Sequence, residues 1–100
     1  MDPKTRKRMK QIAHHLDPVV SVGDQGLSDN LLAEAERALT DHELIKVRIH
    51  SADREQRAEV GAELARRCAA EVVQKIGKVI VLYRANPEPN KALSNLSRYG

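Results

Sequence analysis

Apolar positions along the chain change period several times, and each change marks an element. Met9, Ile12, Ala13 and Leu16 recur at helical spacing, so residues 4–16 predict a first helix with one apolar stripe. Asp17-Pro18 ends it, because a residue before proline is pushed out of the helical region. Val19-Val20-Ser21-Val22 is a short β-rich run and predicts the first strand. Gly23-Asp24-Gln25-Gly26 predicts a turn. After it, Ser28 is placed to cap the free amides of a new helix, and Leu27 and Leu32 stand at the positions of a hydrophobic staple. That second helix runs to about Asp41, with Leu31, Leu32, Ala35, Ala38 and Leu39 as its buried stripe.

Beyond this helix the period shortens to two. From Leu44, Ile45, Val47 and Ile49 point one way while Lys46, Arg48 and His50 point the other, which predicts a half-buried strand with a basic outer face. Asp53 with Gln56 fits a capping-box-like start for a third helix, whose inner stripe is Val60, Leu64, Ala65, Cys68 and Ala69. Val72–Ile76 and Val79–Arg84 are β-rich runs separated by Gly77-Lys78, a pair that predicts a tight hairpin. Val79-Ile80-Val81-Leu82 is apolar on both faces, which predicts a central strand. Residues 85–100 carry Pro87, Pro89, three Asn and two Ser, and read as a flexible tail with little structure of its own.

The order α-β-α-β-α-β-β predicts an α/β (α+β) fold. Strand–helix–strand connections favour parallel neighbours with right-handed crossovers, and the final hairpin adds an antiparallel pair. The expectation is a mixed four-stranded sheet with packed helices, one domain over residues 1–84, and the tail 85–100.

Composition narrows the function. The 100 residues include no Phe and no Trp, and Tyr83 and Tyr99 are the only Tyr, so base stacking on aromatic side chains is not expected to dominate any nucleic-acid contact. The single cysteine, Cys68, excludes an internal disulfide and a multi-thiolate metal site, and a lone thiol suits a reducing cytoplasm. No apolar run approaches the ~20 residues of a membrane span. The basic N-terminal residues are not followed by the apolar segment of a signal peptide.

Net charge is only +3, but it is unevenly placed. Lys4, Arg6, Lys7, Arg8 and Lys10 face Asp2 alone within residues 1–10. Residues 11–45 hold Arg37 against Asp17, Asp24, Asp29, Glu34, Glu36, Asp41 and Glu43. Such a two-sided field orients a polyanion even at small net charge. Cations at a helix N-terminus oppose the macrodipole, so the basic first helix has no evident benefit for folding.

The segment Val22-Gly23-Asp24-Gln25-Gly26-Leu27-Ser28 joins a strand to a capped helix through Gly-x-x-Gly. Glycines permit close backbone approach, and a helix start offers unpaired amides, so a phosphate could lie there. Taken alone the pattern is more often a plain tight turn than a phosphate site, and Asp24 places a carboxylate in it. Other chemistry is sparse. His14 and His15 point to different helix faces, and no carboxylate stands at ligand spacing, so neither a metal nor a cofactor is expected. Cys68 lies on an apolar stripe without a paired base, so no enzyme and no small-molecule substrate are expected.

Four blocks resemble the CRM domain family (chloroplast RNA splicing and ribosome maturation), most closely its single-domain bacterial YhbY-type members. They are residues 13–20 (Ala13-His14-His15-Leu16-Asp17-Pro18-Val19-Val20), Val22-Gly23-x-x-Gly26-Leu27-Ser28, His42-Glu43-Leu44-Ile45-Lys46-Val47, and residues 76–84. The resemblance covers residues 4–84. It implies a fold similar to the C-terminal domain of bacterial translation initiation factor three. It further implies RNA binding without catalysis, with precursors of the large ribosomal subunit as partner, and contact through the Gly-x-x-Gly loop and adjacent basic surface. The RNA-binding candidates are therefore Lys4, Arg6, Lys7, Arg8, Lys10, His14, Gly23, Asp24, Gln25, Gly26, Lys46, Arg48, Lys78 and Arg84, on a monomer. The competing expectation is a protein-interaction module that sets its basic arm against an acidic protein.

Overall fold

A computed structural model of the chain describes residues 1–99. Its elements are α1 (Pro3–Ala13), β1 (Pro18–Val22), α2 (Asp29–His42), β2 (Leu44–Ile49), α3 (Arg54–Arg67), β3 (Glu71–Ile76), β4 (Val79–Tyr83) and α4 (Asn95–Tyr99). The strands make one mixed four-stranded sheet in the order β1-β2-β4-β3. β1 runs parallel to β2, and β4 runs antiparallel to both β2 and β3. β2 and β3 are thus parallel but not adjacent, because β4 lies between them. That position explains the apolar run in β4: Ile80, Val81 and Leu82 are all buried.

Local chemistry fixes the element ends. Asp2 caps α1 by accepting from the Thr5 amide at 2.7 Å, with Pro3 in the first turn where its missing N–H costs nothing. Ser28 caps α2 through the Leu31 amide at 3.2 Å, and Leu27 and Leu32 pack on the core as a staple would. At α3, Asp53 accepts from the amides of Glu55 and Gln56, at 2.9 and 3.4 Å. Gln56 does not reach back to the Asp53 amide. Ser51 Oγ accepts from that amide at 3.2 Å and donates to Gln56 Oε1 at 2.8 Å, so a third residue completes the cap.

α1 starts and stops earlier than the periodicity predicts. His15 and Leu16 close a tighter turn onto the carbonyls of Ile12 and Ala13, both at 3.0 Å. Ala69 is not on the inner stripe of α3. It is exposed at φ +52, and the amides of Ala69 and Ala70 donate to the carbonyls of Arg66 and Ala65 at 3.2 and 2.8 Å. This is the left-handed stop that glycine usually supplies. Gly61 takes the inward place instead. A Cβ there would meet Ile80 Cδ1 at 3.2 Å, so the absence of a side chain lets α3 lie close to the sheet.

α2 and α3 cover one sheet face. Leu31, Ala35, Leu39, Leu64, Ala65 and Cys68 pack there on Val20, Val22, Ile45, Val47, Ile49, Ile80 and Leu82. α1 covers part of the opposite face, setting Met9, Ile12 and Ala13 on Leu44, Val73 and Val81.

The segment after Tyr83 corrects an expectation: it is docked. The buried polar side chains among the described residues are Glu43, Ser94 and Asn95, and they meet where this segment returns to the domain. Glu43 closes α2 at φ +62. Its carboxylate accepts from the Asn86 amide at 2.9 Å and from Ser94 Oγ at 2.7 Å. Asn95 Nδ2 donates to the Leu44 carbonyl at 2.6 Å, and the His42 ring shares a 2.8 Å hydrogen bond with the Leu93 carbonyl. α4 then packs on α1, and Tyr99 stacks on His15 with centroids 5.9 Å apart. Polar residues secure the segment, so a hydrophobic pattern does not reveal it.

Candidate nucleic-acid interface

α1 leaves the far half of its sheet face open. One cross-strand row, Ser21–Arg48–Val79–Ile76, lies on that half, and a second, Lys46–Val81–Gln74, runs along the edge of α1, which covers Val81. Lys46 is half-buried, whereas Ser21, Arg48 and Ile76 are exposed. Alternation along β2 produces this arrangement, since Ile45, Val47 and Ile49 turn into the core beneath α2 and α3. The exposed cations of α1, including Lys4, Lys7, Arg8 and Lys10, border the same face. Lys46 and Arg48 form no ion pair among the described residues.

The Gly-x-x-Gly loop sits at the C-terminal end of β1. The Gly26 amide donates to the Gly23 carbonyl at 3.0 Å, closing a turn. Gly26 holds φ +64, a conformation that favours glycine. A Cβ on Gly23 would meet nothing within 4 Å. Asp24 and Gln25 are exposed at the tip, and Glu34 of α2 lines the same hollow as Asp24. The loop's surroundings are therefore partly acidic.

Helix and loop are not neighbours. β1 separates them by its full length, about 16 Å for five residues at strand rise. Lys46 and Arg48 occupy the intervening surface. Arg48 pairs in register with Ser21, and the His50 amide donates to the Val22 carbonyl at 2.9 Å, directly before the loop. The β3–β4 turn lies at the same end, where the Ile49 amide donates to the Lys78 carbonyl at 2.7 Å and the Lys78 side chain is exposed.

Two of the candidate cations serve the fold. Arg6 Nη1 donates to the carbonyls of Val72 and Val73, at 3.1 and 2.8 Å, where β3 carries a bulge, and Arg6 Nη2 lies 3.5 Å from Glu71. Arg84 Nη1 donates to Glu36 at 2.6 Å and to the Cys68 carbonyl at 3.0 Å, while Nη2 reaches the Glu36 carbonyl and Thr40 Oγ1. Helical spacing and strand alternation show which face a side chain takes but not which carbonyls it meets across the fold. His14 is exposed at the end of α1, its ring edge-on to His15 at 5.8 Å. Sequence reasoning missed Arg98, whose guanidinium lies 5.4 Å from the Tyr99 ring centre, because the tail carries no periodic signal. Burial pushes the Cys68 thiol above its ordinary range, with the Glu36 charge adding to the effect, so this sulfur is held protonated.

These features define a small α/β domain with one sheet face packed by two helices and the other half open and basic. The CRS1 / YhbY (CRM) domain model matches residues 1–84, and the chain belongs to that family. It is 50% identical over 94 residues to a probable RNA-binding protein of Pseudomonas aeruginosa, covering 94% of this chain and 90% of the relative. It is 44% identical over 88 residues to an RNA-binding protein of Haemophilus influenzae, covering 88% and 89%. The solution structure of a Staphylococcus aureus protein, SAV1595, superimposes with a TM-score of 0.77 at 30% identity, covering 88% of this chain and 92% of that one.

Proposed function

We propose that this chain binds RNA without catalysing a reaction, and that its partner is ribosomal RNA in precursors of the large subunit. The observation that carries the reading is the open sheet half bordered by α1, where Lys46 and Arg48 stand without ion-pair partners among the described residues. Relatives named for RNA binding support the choice of polyanion. In this reading Lys4, Lys7, Arg8, Lys10, Lys46 and Arg48 meet phosphates, with His14 at the edge of the surface. Gly23, Asp24, Gln25 and Gly26 shape the far rim, and Lys78 extends it. Arg6 and Arg84 hold the scaffold. With few aromatic side chains, the surface reads backbone and shape, as suits structured RNA.

The test is RNA affinity measured against salt. Changing Lys46 and Arg48 together to Gln is expected to flatten the log–log salt slope by about 1.4 on single-stranded RNA, from two lost phosphate contacts. An unchanged slope and affinity would remove that surface from the interface. For the cellular role, the protein is expected to co-sediment with large-subunit precursors at low salt. Recovery only at the top of the gradient would exclude it. Partners that survive nuclease treatment in a pull-down would favour the protein-interaction alternative.

A further inference from the structure

The inner stripe of α3 holds the feature that the RNA-facing surface does not use. Gly61, Leu64, Ala65 and Cys68 face the core, and extending their spacing toward the N-terminus gives Ala58, Arg57 and Arg54. Arg57 thus stands half-buried on a stripe where apolar residues belong, with Arg54 exposed one turn earlier. Burying part of a guanidinium there has a desolvation cost without a compensating ion pair. Beneath them lies a cavity of about 570 Å³ between the first turns of α3 and the β3–β4 hairpin. It lies on the sheet face opposite α1, because Lys75 pairs in register with Ile80, which points toward α3.

Four cations line it: Arg54, Arg57, Lys75 and Lys78, with no carboxylate among its walls. None of the four forms an ion pair among the described residues. Arg57 Nη1 donates to the Ser51 carbonyl at 2.7 Å, which fixes the side chain, yet its Nε is buried without a hydrogen-bond partner among the described residues. The floor is apolar, made by Ile49, Ala58 and Ile80. The helix terminus is not itself the attraction, since Asp53 already occupies the amides of Glu55 and Gln56.

We infer that this cavity takes one nucleotide of the bound RNA, its phosphate among the four cations and its base against Ile49, Ala58 and Ile80. The chemistry selects the ligand. A phosphate satisfies several cations at once, and charge-assisted hydrogen bonds to it offset the desolvation of Arg57. The apolar floor suits the face of a base, which an acidic side chain does not provide. The volume falls within the usual range for small-ligand pockets. The inference rests on the RNA-binding reading and adds to it a second subsite, reached around the hairpin that carries Lys78.

The test is a titration of the isotopically labelled full chain, followed by amide and methyl resonances. The probes are uridine 5′-monophosphate, uridine, inorganic phosphate and a short single-stranded RNA. The monophosphate and the RNA are expected to shift the Lys78 and Arg57 amides together with the Ile49 and Ile80 methyls. Uridine and inorganic phosphate, each lacking half of the contacts, are expected to bind at least about tenfold more weakly. Changing Lys75 and Lys78 to Gln, both exposed and remote from the core, is expected to weaken monophosphate binding about tenfold or more without shifting the unfolding midpoint. Silence of these resonances toward the monophosphate, or shifts that survive the double substitution, would overturn the pocket. If RNA still shifts residues around Lys46 and Arg48 in that case, the proposed function stands without it. If the monophosphate fills the cavity but RNA does not, the assignment to RNA is overturned and a free nucleotide is the ligand.

Discussion

Glu43 and Ala69 hold positive φ without being glycine, and they do so for different reasons. Ala69 only ends α3, and its side chain is exposed. Changing Ala69 to Gly is therefore expected to stabilise the fold by about 0.5–1 kcal/mol in chemical denaturation, as left-handed strain is relieved. Glu43 is kept by its carboxylate, which holds Asn86 and Ser94. Glu43→Ala leaves those donors unpaired and keeps the unfavourable backbone, so a loss of about 2–3 kcal/mol is expected. The loop glycines should separate in the same assay. Gly26→Ala is expected to cost about 1–2 kcal/mol, because L residues resist its conformation, whereas Gly23→Ala should be nearly neutral. Cys68 and Tyr83 set an alkaline limit. Burial is the main cause raising both above their ordinary values of 9.0 and 10.0. Above about pH 9 the unfolded chain releases protons that the folded chain retains. The stability these groups contribute is thus present below that range and lost as pH rises through it. Denaturation midpoints that stay level from about pH 8 to about pH 11 would contradict this.

At the scale of elements, β2 and the first three helices are legible because each has an amphipathic period, and α2 and α3 also carry a capping residue. The alternation in β2 identified both its buried side and the basic side that stays open. The apolar run in β4 identified a central strand, although its insertion between β2 and β3 depends on tertiary packing. The C-terminal segment was not legible. Ser94 and Asn95 are polar residues whose burial follows from partners some fifty positions away, 51 in each case. Asn95→Ala removes the donor to the Leu44 carbonyl, and a loss of about 1–2 kcal/mol is expected. An unchanged unfolding midpoint would show that this segment does not support the domain. Arg6 and Arg84 were legible as cations but not as braces, since their carbonyl partners lie on other elements. Arg6→Gln is expected to lower stability by about 1–2 kcal/mol and to leave the salt slope of RNA binding unchanged.

For the whole molecule, the charge asymmetry seen along the chain becomes an asymmetry between faces. α1 and the outer side of β2 present cations on one face, while α2, which carries Asp29, Glu34, Glu36 and Asp41, lies on the other. The insertion of β4 has a further consequence for how the chain acquires its shape. During synthesis β1, β2 and β3 emerge first, and β3 has no hydrogen-bonding neighbour until β4 is made. Only the parallel β1–β2 pair can form earlier, and such a pair is slow to nucleate and weakly stable alone. The nascent domain therefore stays open until β4, the last of the described strands, leaves the ribosome, and a chain ending at residue 78 is expected to show no cooperative unfolding transition. Closure of the sheet, and with it the assembly of both basic surfaces, waits on β4.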